Sequence, residues 1–517
     1  MRSGELITIA QILLCAVLAI LATTDTHLLS HDQEQIFGAE PNPTGNPIGG
    51  GNGYSEIVTQ TDSRIDYTVA TTDELLAALR SAENGDLIYV NSTADIDLTN
   101  IPGGVTIPGG VTLASNRGER RTTGLAIYPF EVEEQGDYAI WGLASAPDEG
   151  SDSFWVSVDR GEVRWWDLED DRDWHWSRVG VHYLPGGQHN LTIHWREDGS
   201  RLDRIFVTND MDYIPDTTME EQSGRVYIQK EAESGVLSSP METVPDPAVS
   251  GGAYISVPDG SGRGRFPVSA GGRIYLKSTD PAYPAGFMIG GENVRITGLR
   301  LEGPDKTTEW LNRKRIGIFC PHQNLEVDNC EIWGWNGAAI TLTGTGGSDM
   351  KTGGYIHHNY IHHCQMDGLG YGVAVSTGAM GLIEANYFDY VRHAIAGTGV
   401  AGDGYEARYN ICGPHALATS PHSFDMHGKP DTNGSGTIAG DTIIIHHNTF
   451  QATEPSGAYP VAIRGVPRDG AYIYNNWFHY TQAAPVWQTD GRENVSVTDN
   501  LFGPERNFRV VGPIRYV

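Results

Sequence analysis

The residues best placed to do chemistry lie near the ends of short glycine-terminated segments. His427 stands immediately before Gly428, and Arg464 before Gly465. Side chains alternate along a strand, so if Met426 and Ile463 point inward, His427 and Arg464 point outward. Asp425 shares the face of His427. His393 falls one repeat earlier, His422 leads into the same segment, and Lys429 lies within reach. Such a cluster suits β-elimination on a uronic acid. A cation (Arg464, Lys429 or a bound Ca²⁺) would neutralise the carboxylate and acidify the α-proton, and His427 or His393 would remove it. Glycoside hydrolysis would need two facing carboxylates, and only Asp425 is placed.

Three histidine pairs also stand out: His357-His358, His362-His363 and His446-His447. Metal binding by two of them, His357-His358 and His446-His447, which sit at the same place before their asparagines, is conceivable. However, neighbours on a strand face opposite ways, so each pair is expected to offer one ring per face. A second chemistry is sugar binding. Flat aromatic rings stack on the C–H faces of a pyranose while carboxylates take its hydroxyls. Trp165, Trp166, Trp174 and Trp176, interleaved with Asp167, Asp170, Asp171 and Asp173, supply both. Trp141 and Trp155, on alternating segments, are expected in a core.

The elements that must position these groups show in a repeat. Seven asparagines (Asn329, Asn359, Asn386, Asn410, Asn448, Asn476 and Asn500) recur every 24 to 38 residues. Each follows a short β-rich segment, as in Tyr355-Ile356-His357-His358-Asn359. A period of this size predicts a solenoid whose coils stack to bury their apolar faces, with asparagine ladders at the inner corners. The repeat resembles the right-handed parallel β-helix of the pectate lyase-like superfamily. The fold class expected is all-β: a right-handed parallel β-helix with an inserted antiparallel β-sandwich of the jelly-roll type. The superfamily hosts several reactions. The paired aspartates and Gly-His-Gly of polygalacturonases are absent, as are pectate lyase signatures.

Along the chain, residues 1–22 read as a signal peptide or N-terminal membrane anchor, apolar from Leu6 to Ala22 and containing Cys15. Residues 23–60, rich in Gly, Pro, Asn and Thr, read as a flexible tether. Residues 61–120 hold an amphipathic helix with Thr72 as N-cap, then the first coils; together they resemble the cap of pectate lyase-like proteins. Residues 271–517 carry the main solenoid. Between them, residues 121–270 break the pattern and contain seven of the twelve tryptophans. This insert resembles family-6-like carbohydrate-binding sandwiches through Gly136-Asp137-Tyr138-Ala139-Ile140-Trp141 and Asp198-Gly199-Ser200-Arg201-Leu202-Asp203. Glu231-Ala232-Glu233-Ser234-Gly235 opens the family's fold but comes last here, as in a circular permutation. The resemblance implies sugar binding and makes Glu231 and Glu233 candidate Ca²⁺ ligands.

A net charge of −30 with only six lysines resembles the acid-coated surface of a halophile's protein and argues against nucleic acid as a partner. Cys320, Cys330, Cys364 and Cys412 are expected to be buried thiols. The sequons at Asn91, Asn190, Asn433 and Asn494 suit an exported chain. The expectation is an exported monomer, extracellular or at the cell surface, that acts on polysaccharide. It would be a lyase of an acidic polymer, alternatively a non-catalytic glycan-binding protein using the β-helix as scaffold, or a glycoside hydrolase. Membrane contact would come only through the N-terminal segment.

Overall fold

The computed structural model describes residues 36–511 and 514–516, apart from 102, 160, 169–171, 216–221, 278–284, 311–313, 345–347, 417–421, 433–435, 453–458, 480–485, 489–492 and 504–509. The N-terminal apolar segment with Cys15, and Asp170, Asp171 and Asn433, lie outside the described residues.

Three stacked sheets of twelve, eleven and nine strands, parallel along almost their whole length, make a parallel β-helix. One coil illustrates the repeat. Glu326–Asp328 joins the first sheet, Glu331–Trp333 the second and Ala338–Thr343 the third. Inward residues fall in register from coil to coil: Ile296, Val327, Ile356, Ile383, Ala407, Ile445, Ile473 and Val497 form one continuous column. Every member of this column is buried, and it belongs to a single core running the length of the solenoid. The four described cysteines sit in that core as free thiols.

The corner between the first two sheets explains the repeated asparagines. The residue before each one adopts left-handed backbone: His358, Ala385, Tyr409, His447, Asn475 and Asp499 all have φ between 50° and 55°. The asparagine side chain then takes a main-chain N–H from the coil before. Asn359 N donates to Asn386 Oδ1 at 2.9 Å, Asn386 N to Asn410 Oδ1 at 2.9 Å, and Asn410 N to Asn448 Oδ1 at 3.0 Å. The ladder has six asparagines rather than seven. Asn329 itself occupies the left-handed position (φ 52°), and Cys330 stands in the ladder, its N–H donating to Asn359 Oδ1. The two positions are adjacent and both accept asparagine, which tolerates left-handed backbone.

The helix Thr72–Ser81 caps the first coil, burying Leu75 and Leu79. Its N-cap is Thr71, not Thr72: Thr71 Oγ1 accepts from Glu74 N while the Glu74 carboxylate accepts from Thr71 N. A capping box outweighs a lone threonine one residue on.

Residues 36–58 are not a loose tether. They run as a strap back along the asparagine corner. Gly38 N donates to Asn475 O, Ala39 N to Thr449 Oγ1, Gly49 N to Ala385 O and Gly51 N to Asn329 Oδ1. Tyr54 OH ends the strap on the buried carboxylate of Asp328 at 2.8 Å. Its glycines are the reason it lies so close: a Cβ on Gly50, at φ 68°, would stand 2.3 Å from His358 O.

The insert leaves the same corner. Thr112–Ala114 enters it and Arg273–Tyr275 leaves it, and both stack directly on the following coil. In between, a six-stranded and a five-stranded antiparallel sheet enclose a separate apolar core. The strand Tyr227–Glu231 lies against Arg201–Thr208, which presents Glu231 opposite Arg204.

Candidate functional site

The strand Phe424–Met426 puts Phe424 and Met426 in the core and Asp425 on the outer side, as alternation requires. Asp425 is fully buried nonetheless, because four side chains close over it. Its Oδ2 lies 2.7 Å from Arg464 Nη2, 2.9 Å from His427 Nε2, 3.5 Å from His393 Nε2 and 3.6 Å from His422 Nε2. Arg464 arrives from the next coil, since Val461–Ile463 pairs with Phe424–Met426.

His393 joins through a bulge. The N–H groups of Ala394 and Ile395 both donate to Ser423 O, and those of Ser423 and Phe424 both donate to Pro460 O. Two residues opposite one shift the alternation, so His393 faces Asp425 although it precedes inward Ile395 by two. Its ring stacks on His422 at 4.6 Å and on Tyr371 at 5.5 Å.

The proton positions follow from the partners. His393 Nδ1 lies 2.9 Å from the carbonyl of His422, which can only accept, so Nδ1 carries the proton and Nε2 a lone pair. Burial pushes His393 down to about 3, against the pull of Asp425. An arginine only donates, so His422 Nε2, 2.8 Å from Arg464 Nη2, is an acceptor and His422 is neutral. Burial by itself raises a carboxyl. Here the ring contacts and the Arg464 guanidinium overcome it and hold Asp425 well below the usual carboxylate range. With His422 an acceptor, His427 and Arg464 are the groups that stabilise the charge.

His427 and Arg464 are the members that reach solvent, their side chains 38% and 28% exposed. His427 Nδ1 has no protein partner among the described residues. Trp487, 39% exposed, stands two coils along the column that runs from Asp425 through Ala462, with its ring 6.2 Å from that of His422. The sequence carries Trp487, but only the coil register brings it here. Lys429 does not join the cluster: it is exposed on a two-stranded hairpin with Thr437–Ile438, with no ion pair to Asp425 among the described residues. Among the described residues, no second carboxylate faces the ionised, enclosed Asp425.

The histidine pairs depart from the expected alternation. In each pair the second histidine is the left-handed corner residue or its equivalent in the next strand, so both rings fall on one side. Nδ1 meets Nδ1 at 2.8 Å in His357/His358 and His362/His363 and at 2.7 Å in His446/His447. One ring must donate and the other accept, so each pair holds its proton between two rings. Glu326, Glu331 and Glu406 face the Nε2 of the first ring. Burial and the paired ring push both His358 and His447 down to about 4.

In the sandwich, Trp166 is a core residue, 2% exposed, with its Nε1 donating to Ser177 Oγ. It is therefore not available to sugar. Trp141 and Trp155 are not in the core. They are half-buried on outer faces, where Arg178 lies 5.5 Å over Trp141 and Arg196 lies 5.4 Å over Trp155. Ile140, Phe154 and Val156 point inward instead. A one-residue difference in strand parity exchanges the two sets. Trp165 is 56% exposed under Arg196, on the five-stranded sheet. Trp174 packs edge-on to Tyr254 and Trp176 edge-on to Phe206, so the three make separate contacts rather than one platform.

Among the described residues, Glu231 Oε2 and Glu233 Oε2 are buried with no hydrogen-bond partner, as is Asp203 Oδ1. Burial raises the Asp203 carboxyl, and the Glu231 charge adds to that. Beside them Gly251, at φ 64°, leaves the space where a Cβ would stand 2.0 Å from Glu233 Oε1. Orphaned oxygens beside a backbone cradle fit an oxygen-seeking cation such as Ca²⁺.

Among the described residues, no helix is long and apolar enough to cross a membrane. No family model matches the chain, and no curated protein matches it. The solved structures similar to it include the catalytic unit of a thermostable GH87 α-1,3-glucanase from Streptomyces thermodiastaticus, at 10% identity over 73% of this chain and 82% of that one, with a TM-score of 0.19. The catalytic domain of a GH87 α-1,3-glucanase in complex with nigerose follows at 11% identity, over 77% and 87% of the two chains, with a TM-score of 0.16. Likeness at that level carries neither activity nor substrate to this chain.

Proposed function

We propose that the protein is an exported, polysaccharide-active β-helix protein of the pectate lyase-like kind, acting as a lyase on an acidic polysaccharide that its carbohydrate-binding-like insert helps to hold. The observation that carries this reading is the convergence on buried Asp425 of His427 and Arg464, the two members with access to solvent. Asp425 would orient His427 through Nε2 and leave Nδ1 to take the α-proton. Arg464 would stabilise the charge that develops on the uronate. Trp487 offers a stacking surface beside them. A hydrolytic reading lacks its second carboxylate among the described residues. Ca²⁺ is proposed for Glu231 and Glu233, where it would tie the strand Tyr227–Glu231 to the loop at Gly251 and keep the insert in its binding shape. Residues 1–22 would direct export, and the acidic surface would keep the chain soluble in high salt.

The test is absorbance of unsaturated uronide in high salt, screened over pectate, alginate and glycosaminoglycans. Turnover abolished by His427→Ala establishes the lyase. Polymer retention without turnover, lost on removal of residues 121–270, favours the second reading, a glycan-binding protein with a scaffold solenoid.

A further inference from the structure

The two chain segments that join insert to solenoid form a neck. Arg120 bridges Val268, and Arg121 N donates to Pro267 O at 2.8 Å. A cavity of about 210 Å³ opens at this neck, lined by Arg121, Arg263, Arg265, His194, Trp195 and Thr123 among others. Three arginines converge here in a chain whose net charge is −30.

Their compensation is incomplete. Arg263 Nη2 lies 2.6 Å from Glu197 Oε1, an ion pair. Arg121 Nε donates to a neutral group, the Phe266 carbonyl, at 3.1 Å. Arg265 is exposed and has no ion-pair partner among the described residues. Burial and the charge of Arg265 push Arg121 below its ordinary value, with only Glu119 opposing them. Two guanidinium groups held together without a carboxylate between them are a standing electrostatic cost that an anion would relieve. His194 adds no charge, since burial and Arg120 push it down to about 4.

The wall is aromatic and fixed. Trp195 is clasped by two glycines: a Cβ on Gly124 would stand 3.0 Å from Trp195 Cβ, and one on Gly264 would stand 2.1 Å from Trp195 O. Phe266, 47% exposed, follows Arg265 and meets Trp155 edge-on at 5.1 Å. Arg196 then spans Trp155 and Trp165.

We infer that this neck pocket is an anion site for the carboxylate or sulfate group of an acidic polysaccharide. Arg121 and Arg265 would make the charged contacts, and the strip of Phe266, Trp155 and Trp165 would stack on neighbouring sugar. This rests on the reading of the substrate as an acidic polysaccharide. It places recognition of the acid group at the neck as well as at the solenoid cluster, so one chain of polymer could be held at two points. Guanidinium–oxyanion contacts at hydrogen-bond distance persist in molar salt, where attraction beyond about 3 Å is screened.

The test uses the full chain in affinity electrophoresis against sodium polygalacturonate, dextran sulfate and uncharged dextran, at constant high salt. Arg265→Gln and Arg121→Gln are each expected to weaken retention on polyanion about tenfold, with uncharged dextran unaffected. Arg265 is exposed, so its replacement is expected to leave the melting temperature unchanged. Loss on polygalacturonate alone assigns a carboxylate, and loss on dextran sulfate alone assigns a sulfate. Unchanged retention of both arginine variants on both polyanions overturns the pocket, even if His427→Ala abolishes turnover. Weakened retention in a protein that turns over nothing keeps the pocket and removes the lyase.

Discussion

His393 Nε2 faces Asp425 Oδ2 at 3.5 Å, with both side chains fully buried. The ring stays neutral there, its ionisation pushed down to about 3 by burial. In the unfolded chain it titrates near the ordinary histidine value of about 6.5, so the unfolded state takes the proton first. Stability is therefore full above about 6.5 and lost as pH falls toward the folded value. His194, His358 and His447, each pushed down to about 4, act in the same direction. Melting temperature is expected to be level above neutrality and to fall between pH 6.5 and 4, each histidine contributing up to about 1.4 kcal/mol per pH unit. A level profile across that window would show these rings to be charged or exposed.

Asp425→Asn removes the charge that Arg464 and His427 face. Turnover of uronide polymer is expected to vanish, and denaturant titration to show a loss of about 3 kcal/mol, since a partly buried guanidinium loses its counter-charge. An Asp425→Asn protein as active as the parent would separate Asp425 from the reaction.

Asn386 accepts from Asn359 N and donates to Ile356 O at 2.8 Å and Asn410 Oδ1 at 3.0 Å. Asn386→Ala is expected to cost about 3 kcal/mol, because buried main-chain groups in adjacent coils lose partners. Asn329→Ala is expected to cost less and instead to expose the strap to protease near Gly51, the residue it holds. Equal costs would erase the distinction between ladder and corner positions.

Trp166 and Trp165 are neighbours with opposite surroundings. Trp166→Ala is expected to destabilise the insert by about 3–5 kcal/mol. Trp165→Ala is expected to leave stability within about 0.5 kcal/mol while weakening polymer retention.

Chelation of Ca²⁺ is expected to lower the melting temperature of the insert, and Ca²⁺ at a hundred times its Kd to restore about 2.7 kcal/mol. Glu233→Gln should abolish that response. A response that survives in Glu233→Gln would move the ion elsewhere.

The sequence by itself determined the solenoid, the interruption between residues 121 and 270, and the outward sides of Asp425, His427 and Arg464. These are local facts: alternation along a strand and recurrence of a coil are written in consecutive residues. What the tertiary structure alone decided lies where that alternation is reset. A bulge turns His393 toward Asp425, left-handed corners bring paired histidine rings together, and the same corner separates Asn329 from its ladder. Lys429, near in sequence, leaves on a hairpin, while Trp487 arrives from two coils away. The strap at residues 36–58, legible only as a glycine-rich stretch, docks because its partners are main-chain groups of coils hundreds of residues distant. Strand parity in the sandwich put Trp166 inside and Trp141 and Trp155 outside. Such choices rest on which face meets a core, and that is settled only when the sheets close on one another.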